Sequence, residues 1–168
     1  MKPKLIIFSG LPGTGKSSIA EAVGRQLQIP VFAKDWLESA LRRSGFQENT
    51  GYAGYELLTT LAERQLRLGQ SAILDSVASI TAVRQKWRTL VQTHDADWCV
   101  IESVCSDIPL HQARLANRQR HIPDWAELSW EEVERVRGYF VPWDEERLIL
   151  DAKRPLAENI ASALHYIQ

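Results

Sequence analysis

Three glycines, a lysine and two serines stand together in the stretch GLPGTGKSS, residues 10–18. The stretch fits the pattern G-x-x-x-x-G-K-[ST] at Gly10, Gly15, Lys16 and Ser17. In a loop of this kind, backbone N–H groups surround phosphate oxygens, the lysine adds positive charge and the hydroxyl is a ligand for Mg²⁺. The pattern therefore predicts a phosphate-binding loop with contacts from the following residues: Gly10, Pro12, Gly13, Thr14, Gly15, Lys16, Ser17 and Ser18.

The flanking residues favour this interpretation over a glycine turn that only joins two elements. An apolar run, KLIIFS, precedes the loop, and Ile19, Val23 and Leu27 follow it at helical spacing. By chance, the four-position pattern would arise in a chain of this length roughly once in a hundred. A strand before the loop and a helix after it form the context in which the pattern binds nucleotide phosphates.

Two aspartates come directly after, or close, predicted strands. Asp35 follows the short strand 31–33, and Asp75 closes the apolar run SAILD. Because the carboxyl ends of parallel strands face the ligand crevice, both side chains are expected there. Asp35 suits a general base that takes a proton from an attacking hydroxyl, although it also suits a helix N-cap. Asp75 suits a Mg²⁺ ligand that acts with Ser17, although it also suits a turn.

The stretch RLANRQRH, residues 114–121, is rich in arginine. Arg114 and Arg118 are four residues apart and are predicted to share a helix face, where two guanidinium groups repel unless an anion or carboxylates face them. A bound triphosphate would be such an anion, because the planar guanidinium group of arginine binds phosphate better than the ammonium group of lysine does. We expect Arg114 and Arg118 to act with Lys16 and Asp35 in catalysis, on a lid that closes over the reacting groups. The alternative is a solvated helix face.

The elements that must position these residues alternate between strand and helix. The predicted strands are 4–9, 31–33, 71–75, 97–104 and 147–151. The predicted helices are 16–28, 35–43, 55–68, 81–93, 108–118, 129–139 and 155–167. Five strands with helices between them predict a parallel α/β sheet covered on both faces.

Length, charge and composition limit the class of protein. The chain has 168 residues, which fits a single domain, 1–168. Its net charge is −1 and it has no extended block of Lys and Arg, which argues against a nucleic-acid partner. The N-terminal apolar run is too short for a signal peptide, and no stretch approaches membrane-spanning length. Cys99 and Cys105 lie too far apart on one strand to form a disulfide. The four histidines, including His111, show no metal spacing and are predicted to be surface or helix residues. These features predict a cytoplasmic protein without a membrane partner.

Six stretches together resemble the superfamily of ATP-binding P-loop kinases that includes polynucleotide kinase, gluconate kinase, chloramphenicol phosphotransferase and zeta-toxin-like kinases. They are GLPGTGKSS, KDWLESAL, AILDS, RLANR, VPW and LDAKRPLAENI, and they extend over nearly the whole chain. The resemblance implies a three-layer α/β/α P-loop NTPase fold with strand order 2-3-1-4-5 and a small helical lid at roughly 114–130. It also implies transfer of the γ-phosphate of ATP, with Mg²⁺, to a hydroxyl.

The resemblance also assigns roles to individual positions. Lys16 and Ser17 match the phosphate lysine and the Mg²⁺ hydroxyl of the superfamily. Asp35 matches the aspartate that activates the acceptor in several members, and Arg114 and Arg118 match the lid arginines.

One position departs from the pattern of the polynucleotide-kinase-like members, in which an arginine three residues after the aspartate grips an acceptor phosphate. Glu38 stands at that position here. A carboxylate would repel a phosphate, so the sequence favours a neutral or cationic small-molecule acceptor over a polynucleotide. Contacts with the acceptor are expected from the predicted loops 44–54 and 119–128.

The sequence therefore predicts an ATP-dependent kinase that phosphorylates a hydroxyl of a small molecule. Two alternatives stay open: a nucleotide-binding regulator that hydrolyses slowly, and a nucleoside or nucleotide kinase. Asp35 and the arginines favour the first interpretation, because a switch would need loops that sense the γ-phosphate. The sequence names neither the acceptor nor the oligomeric state.

Overall fold

The structure, a computed structural model, describes residues 2–168 as five strands and seven helices. In chain order they are β1 (Lys4–Ser9), α1 (Lys16–Leu27), β2 (Val31–Ala33), α2 (Lys34–Arg43), α3 (Thr50–Arg67), β3 (Ala72–Asp75), α4 (Thr81–Thr93), β4 (Asp97–Val104), α5 (Ile108–Ala116), α6 (Trp130–Tyr139), β5 (Leu148–Asp151) and α7 (Leu156–Ile167). None of the helices within residues 2–168 combines the length and the apolar character that a membrane crossing requires.

All five strands pair in parallel in one sheet, in the order β2-β3-β1-β4-β5. This confirms the predicted fold class and strand order. The central strand, β1, is apolar on both faces because both are covered by helices. Leu5 and Ile7 pack with residues of α3 and α4, whereas Ile6 and Phe8 pack with residues of α1 and α7. The result is an α/β/α arrangement of three layers.

The register of the sheet brings three strand ends together. Phe8 of β1 and Ala33 of β2 are both register partners of Asp75, the last residue of β3. Neighbouring strands lie about 4.8 Å apart, so the segments that leave β1 and β2 start on either side of Asp75. The phosphate-binding loop follows β1 and Asp35 follows β2, which is how the sheet positions the candidate site.

The helix α3 begins five residues before its predicted start, inside the predicted loop 44–54. That segment contains two glycines, Gly51 and Gly54, which are residues typical of turns. Position 54 of the helix is a glycine because α2 approaches closely there: a Cβ at this position would lie 2.9 Å from Cγ of Glu38. The glycine therefore serves helix packing, and the prediction of a loop over residues 50–54 is wrong.

Two further helix ends differ from the prediction in ways that matter for the site. The helix α2 begins at Lys34, so Asp35 lies in its first turn and is not its N-cap. The helix α5 ends at Ala116, where Asn117 donates a side-chain hydrogen bond to the Ala113 carbonyl over 2.8 Å. Arg118 therefore lies beyond the helix. The remaining elements begin and end within one residue of their predicted bounds.

Candidate active site

The phosphate-binding loop runs from Gly10 to Gly15 and leads directly into α1, which begins at Lys16. Gly13 and Gly15 both have φ of 84°, a backbone conformation that side chains disfavour, and this explains the glycines at these positions. Thr14 fastens the loop from inside: its hydroxyl donates to the Leu11 carbonyl over 2.8 Å, and its own carbonyl accepts from the Ser103 hydroxyl over 2.6 Å. The loop is thus held in a defined shape at the start of a helix, where an anion is favoured.

His111 is buried against the same loop. Its side chain is 1% exposed, and Nε2 lies 2.7 Å from the Pro12 carbonyl oxygen, which makes Nε2–H the donor. The ring also meets Trp130 of α6 edge to face, with ring centroids 5.0 Å apart. Burial lowers the pKa of His111, so the neutral imidazole is favoured. The prediction of a surface or helix residue is met by the helix, in which His111 is buried.

The loop opens into a cavity of about 730 Å³. Its wall is formed by parts of α1, α2, α6 and the segment after α5, and it includes most of the predicted site residues: Pro12, Gly13, Gly15, Lys16, Ser17, Ser18, Asp35, Asp75, Arg114 and Arg118. Thr14 and Gly10 support the loop from behind. A Cβ at Gly10 would lie 2.2 Å from the Ser103 carbonyl oxygen, so only glycine fits there.

Lys16 and Asp75 form the buried charged floor of the cavity. Burial lowers the pKa of Lys16 and raises the pKa of Asp75, while the opposite charge of each partner works against that effect. The Ser17 hydroxyl is a further group that holds the pKa of Asp75 down, so it adjoins this carboxylate. Oδ1 of Asp75 is buried and makes no hydrogen bond within residues 2–168. A buried carboxylate oxygen without a partner beside a hydroxyl fits a Mg²⁺ ion whose other ligands are phosphate oxygens and water.

Asp35 is engaged by an arginine that the sequence did not single out. Nη1 of Arg120 donates to Oδ2 of Asp35. Burial alone would raise the pKa of Asp35, but the positive charges of Lys16 and Arg120 outweigh it and hold that pKa below its usual range. The carboxylate is therefore ionised at neutral pH and points at the same cavity as Lys16.

The two predicted lid arginines do not share a helix face, because α5 ends between them. Nη1 of Arg114 donates to the Ala152 carbonyl oxygen over 2.6 Å, at the end of β5. Nε of Arg118 donates to Oε2 of Glu127 over 2.9 Å. Both side chains line the cavity. The sequence analysis expected an anion or carboxylates to face these guanidinium groups. Glu127, a carboxylate of the same segment, faces one of them.

Glu38 does not act as the sequence predicted. Its side chain is 7% exposed, and its carboxylate forms an ion pair with Lys34, one helical turn earlier in α2. The Lys34 ammonium also lies 4.6 Å from the ring centroid of Tyr55. Because Lys34 neutralises its charge, Glu38 presents no net charge to an acceptor. The ion pair therefore weakens the repulsion of an acceptor phosphate that the sequence analysis expected from Glu38.

Sequence reasoning did not single out Arg42, Arg120 and Glu127, three charged residues of the cavity wall. Arg120 belongs to the arginine-rich stretch that was noticed, and the other two charged residues stand among ordinary surface charges. Nothing in a single sequence separates them from a solvated face. The pairing of Lys34 with Glu38 did leave a signal, since the two residues are four apart in a predicted helix.

The family assignment rests on a comparison with known protein families. The model of a family described as an AAA domain, AAA_33, matches residues 5–143. The chain belongs to this family. In this AAA domain, the matched range begins in β1 and includes the phosphate-binding loop, Asp35, Asp75 and both lid arginines. A search of curated proteins by sequence finds no match.

Solved structures of kinases share the fold of this AAA domain over almost their entire length. A candidate kinase from Chloroflexus aurantiacus is 21% identical, with a TM-score of 0.80 and coverage of 100% of both chains. A gluconokinase from Sinorhizobium meliloti is 16% identical, with a TM-score of 0.73 and coverage of 98% and 91%. The Mycobacterium tuberculosis APS kinase CysC, in complex with AMPPNP and APS, is 17% identical, with a TM-score of 0.68 and coverage of 99% and 98%. The fold is therefore that of P-loop kinases.

Proposed function

We propose that the protein is an ATP-dependent kinase that transfers the γ-phosphate of ATP to a hydroxyl of a small molecule. The observation that carries the proposal is that Asp35 shares one cavity with Lys16 and the phosphate-binding loop. A regulator needs only the loop, whereas phosphoryl transfer also needs an acceptor site with a base beside the phosphate. The kinases that share this fold support the proposal; the APS kinase was solved with a nucleotide analogue and with APS.

The proposed reaction uses the groups that line the cavity. The loop N–H groups and Lys16 hold the phosphates of ATP, and the acceptor hydroxyl lies between the γ-phosphorus and Asp35. The hydroxyl oxygen attacks the γ-phosphorus, its proton passes to the Asp35 carboxylate, and the bond from the γ-phosphorus to the β–γ bridging oxygen breaks to release ADP. Oδ1 of Asp35 makes no hydrogen bond within residues 2–168, so one oxygen is free to accept the proton.

Ser17 and Asp75 are the residues that would hold Mg²⁺ in this proposal. The ion supplies charge neutralisation between the β- and γ-phosphates when it is bound. Asp75 would offer its buried carboxylate oxygen to the ion, and Lys16 lies close enough to balance part of the charge of that carboxylate.

In this proposal the chain works as one kinase domain in which residues 114–130 form the lid. Arg114 and Arg118 stand at its base, and their guanidinium groups stabilise the phosphoryl group as it transfers. Nη2 of Arg118 is buried and has no hydrogen-bond acceptor within residues 2–168, so it can donate to a phosphate oxygen without breaking its contact with Glu127.

The variant Asp35→Asn tests the base. Removal of the proton acceptor should reduce phosphorylation of a small-molecule acceptor by a factor of about 10² to 10⁴, because general-base catalysis contributes that much. Affinity for a non-hydrolysable ATP analogue should change by less than about threefold, which corresponds to less than about 1 kcal/mol of binding free energy. Phosphotransfer is measured as ADP production from a panel of metabolite alcohols, and affinity is measured by calorimetry.

The control is Lys16→Met, which should weaken binding of the analogue while Asp35→Asn does not. A chain that binds ATP with Mg²⁺ but shows no acceptor-dependent ADP production with any alcohol would contradict the kinase proposal and favour the regulator. Full phosphotransfer by Asp35→Asn would remove Asp35 from the role of base.

A further inference from the structure

The carboxylates on the cavity wall are almost all engaged by other groups of the protein. Of the six, Asp75 adjoins Lys16, and the other five have partners within hydrogen-bond or ion-pair distance. Those five pairs are Asp35 with Arg120, Glu127 with Arg118, Glu38 with Lys34, Glu21 with Arg25, and Glu132 with the Ser129 N–H. Five of the six therefore face a cation, and Glu132, which accepts from a neutral N–H, keeps its negative charge.

Arg42, in contrast, is an exposed cation of the same wall, and it has no carboxylate partner among residues 2–168. It stands seven residues after Asp35 on α2, which places it on the same face of the helix and about 10 Å further along the axis. The cavity therefore has the proposed base at one end of a helix face and an uncompensated guanidinium group at the other.

Trp125 lies close to both this arginine and Arg120. The guanidinium carbon of Arg42 is 4.7 Å from the centroid of the indole ring, and that of Arg120 is 5.6 Å from it. Two hydrogen-bond donors at this point, Nη2 of Arg120 and Nε1 of Trp125, are buried and have no acceptor within residues 2–168. Because a buried donor without an acceptor costs about 1–3 kcal/mol, such a group is expected to meet an acceptor in the working protein.

We propose that the acceptor alcohol carries a second, anionic group, a carboxylate or a phosphate, which binds to Arg42, Arg120 and the indole N–H of Trp125. Both anions present several oxygens to guanidinium donors in the geometry that arginine favours. The inference rests on the proposed function, because Asp35 defines the end at which the hydroxyl lies. The distance between Asp35 and Arg42 along α2 calls for a molecule in which several bonds separate the two groups. This replaces the neutral or cationic acceptor that Glu38 had suggested.

The first experiment measures anion binding while the phosphate-binding loop is filled. Protein saturated with Mg²⁺ and a non-hydrolysable ATP analogue is titrated, at constant ionic strength, with malonate, with inorganic phosphate and with neutral glycerol. We expect both anions to bind and glycerol not to bind. The variants Arg42→Gln and Trp125→Phe should weaken anion binding at least about tenfold, the equivalent of 1.4 kcal/mol. The matched control is Arg43→Gln, an exposed neighbour of α2 outside the cavity wall, which should bind as the wild type does.

The second experiment compares paired acceptors in the phosphotransfer assay: ω-hydroxy acids against their amides, and sugar phosphates against the free sugars. Preference for the acids indicates a carboxylate, preference for the sugar phosphates indicates a phosphate, and either result supports the proposal. Preference for the amides and free sugars would overturn it and leave the kinase proposal standing. Equal anion binding by Arg42→Gln and Arg43→Gln, or binding only when the loop is empty, would also overturn it. Binding of the ATP analogue in the same samples tests the proposed function separately.

Discussion

Arg120 donates a hydrogen bond to Oδ2 of Asp35, and this ion pair connects the segment after α5 to the first turn of α2. The same guanidinium group also donates from Nε to Oε2 of Glu127 over 3.2 Å. The candidate base and the arginine-rich segment are therefore not independent: the position of one determines the charge environment of the other. In the proposed reaction, Arg120 keeps Asp35 ionised before the acceptor hydroxyl arrives.

The variant Arg120→Met should shift the pH dependence of phosphotransfer. Lys16 and Arg120 outweigh burial and hold the pKa of Asp35 below its usual range. Without Arg120 that pKa rises, so the acid limb of the kcat/KM profile should move to higher pH. The measurement is the position of the limb and not its height, because Arg120 is also expected to contact the acceptor. Arg43→Met should leave the limb in place, and an unmoved limb in an active Arg120→Met enzyme would show that Arg120 does not control the protonation of Asp35.

Asp75→Asn should uncouple nucleotide binding from Mg²⁺. The variant loses the charge of the carboxylate whose buried Oδ1 fits the ion, so affinity for the ATP analogue in Mg²⁺ should fall at least about tenfold. In EDTA, its affinity should equal or exceed that of the wild type, because a negative charge near the phosphates has been removed. Calorimetric titrations with Mg²⁺ and with EDTA measure both values. An unchanged Mg²⁺ effect in the variant would place the ion elsewhere.

His111→Phe should weaken ATP binding more than it slows the chemical step. The variant leaves the Pro12 carbonyl without its donor, at a cost of about 1–3 kcal/mol in the free energy of unfolding. Because the loop loses its fixed shape, KM for ATP should rise several-fold while kcat changes less. His111→Gln retains a side-chain N–H and should recover part of both effects. Equal losses of kcat in the two variants, with unchanged KM, would contradict a positioning role.

The same histidine should make stability depend on pH. Burial lowers the pKa of His111 in the folded protein, so the unfolded state binds a proton first as the pH falls. The stability that comes from burying neutral His111 is present in full above its unfolded pKa of about 6.5 and is lost progressively as the pH falls below that value. Urea unfolding at a series of pH values should show this loss, and His111→Gln, which does not titrate, should show a smaller one.

Gly54→Ala should destabilise the protein although alanine favours helices. A Cβ at Gly54 would lie 2.9 Å from Cγ of the buried Glu38 and 3.3 Å from Cγ of Lys34, so α2 and α3 must move apart. We expect a loss of about 1–3 kcal/mol in the free energy of unfolding, as for an overpacked core. The matched control is Gly138→Ala in α6, where a Cβ meets nothing within 4 Å and helix propensity should stabilise by up to about 1 kcal/mol. Denaturant unfolding compares the two, and a gain in both would contradict the close contact.

The features that could be predicted from the sequence are those that neighbouring residues decide. The loop Gly10–Gly15, the strands and the parallel sheet follow from glycine spacing, apolar runs and the rules of parallel sheets, and the resemblance to P-loop kinases implied the strand order. The helix α6 begins where predicted because Ser129 and Glu132 form a reciprocal capping box, a contact within four residues. The contact of Lys34 with Glu38 is equally local, although the interpretation of Glu38 did not consider that pair.

Tertiary structure decided the contacts that join distant parts of the chain. Asp35 and Arg120 are 85 residues apart, and Pro12 and His111 are 99 apart. Gly54 was placed in a predicted loop, whereas in the structure it lies in α3 and α2 packs against it. The physical reason is that the sequence records which groups a residue carries, whereas burial and distance, which set its charge state and its partner, exist only after the sheet has brought separate segments together. The sequence alone therefore determined the phosphate-binding loop and the fold, and the tertiary structure decided which charges remain free in the cavity for an acceptor.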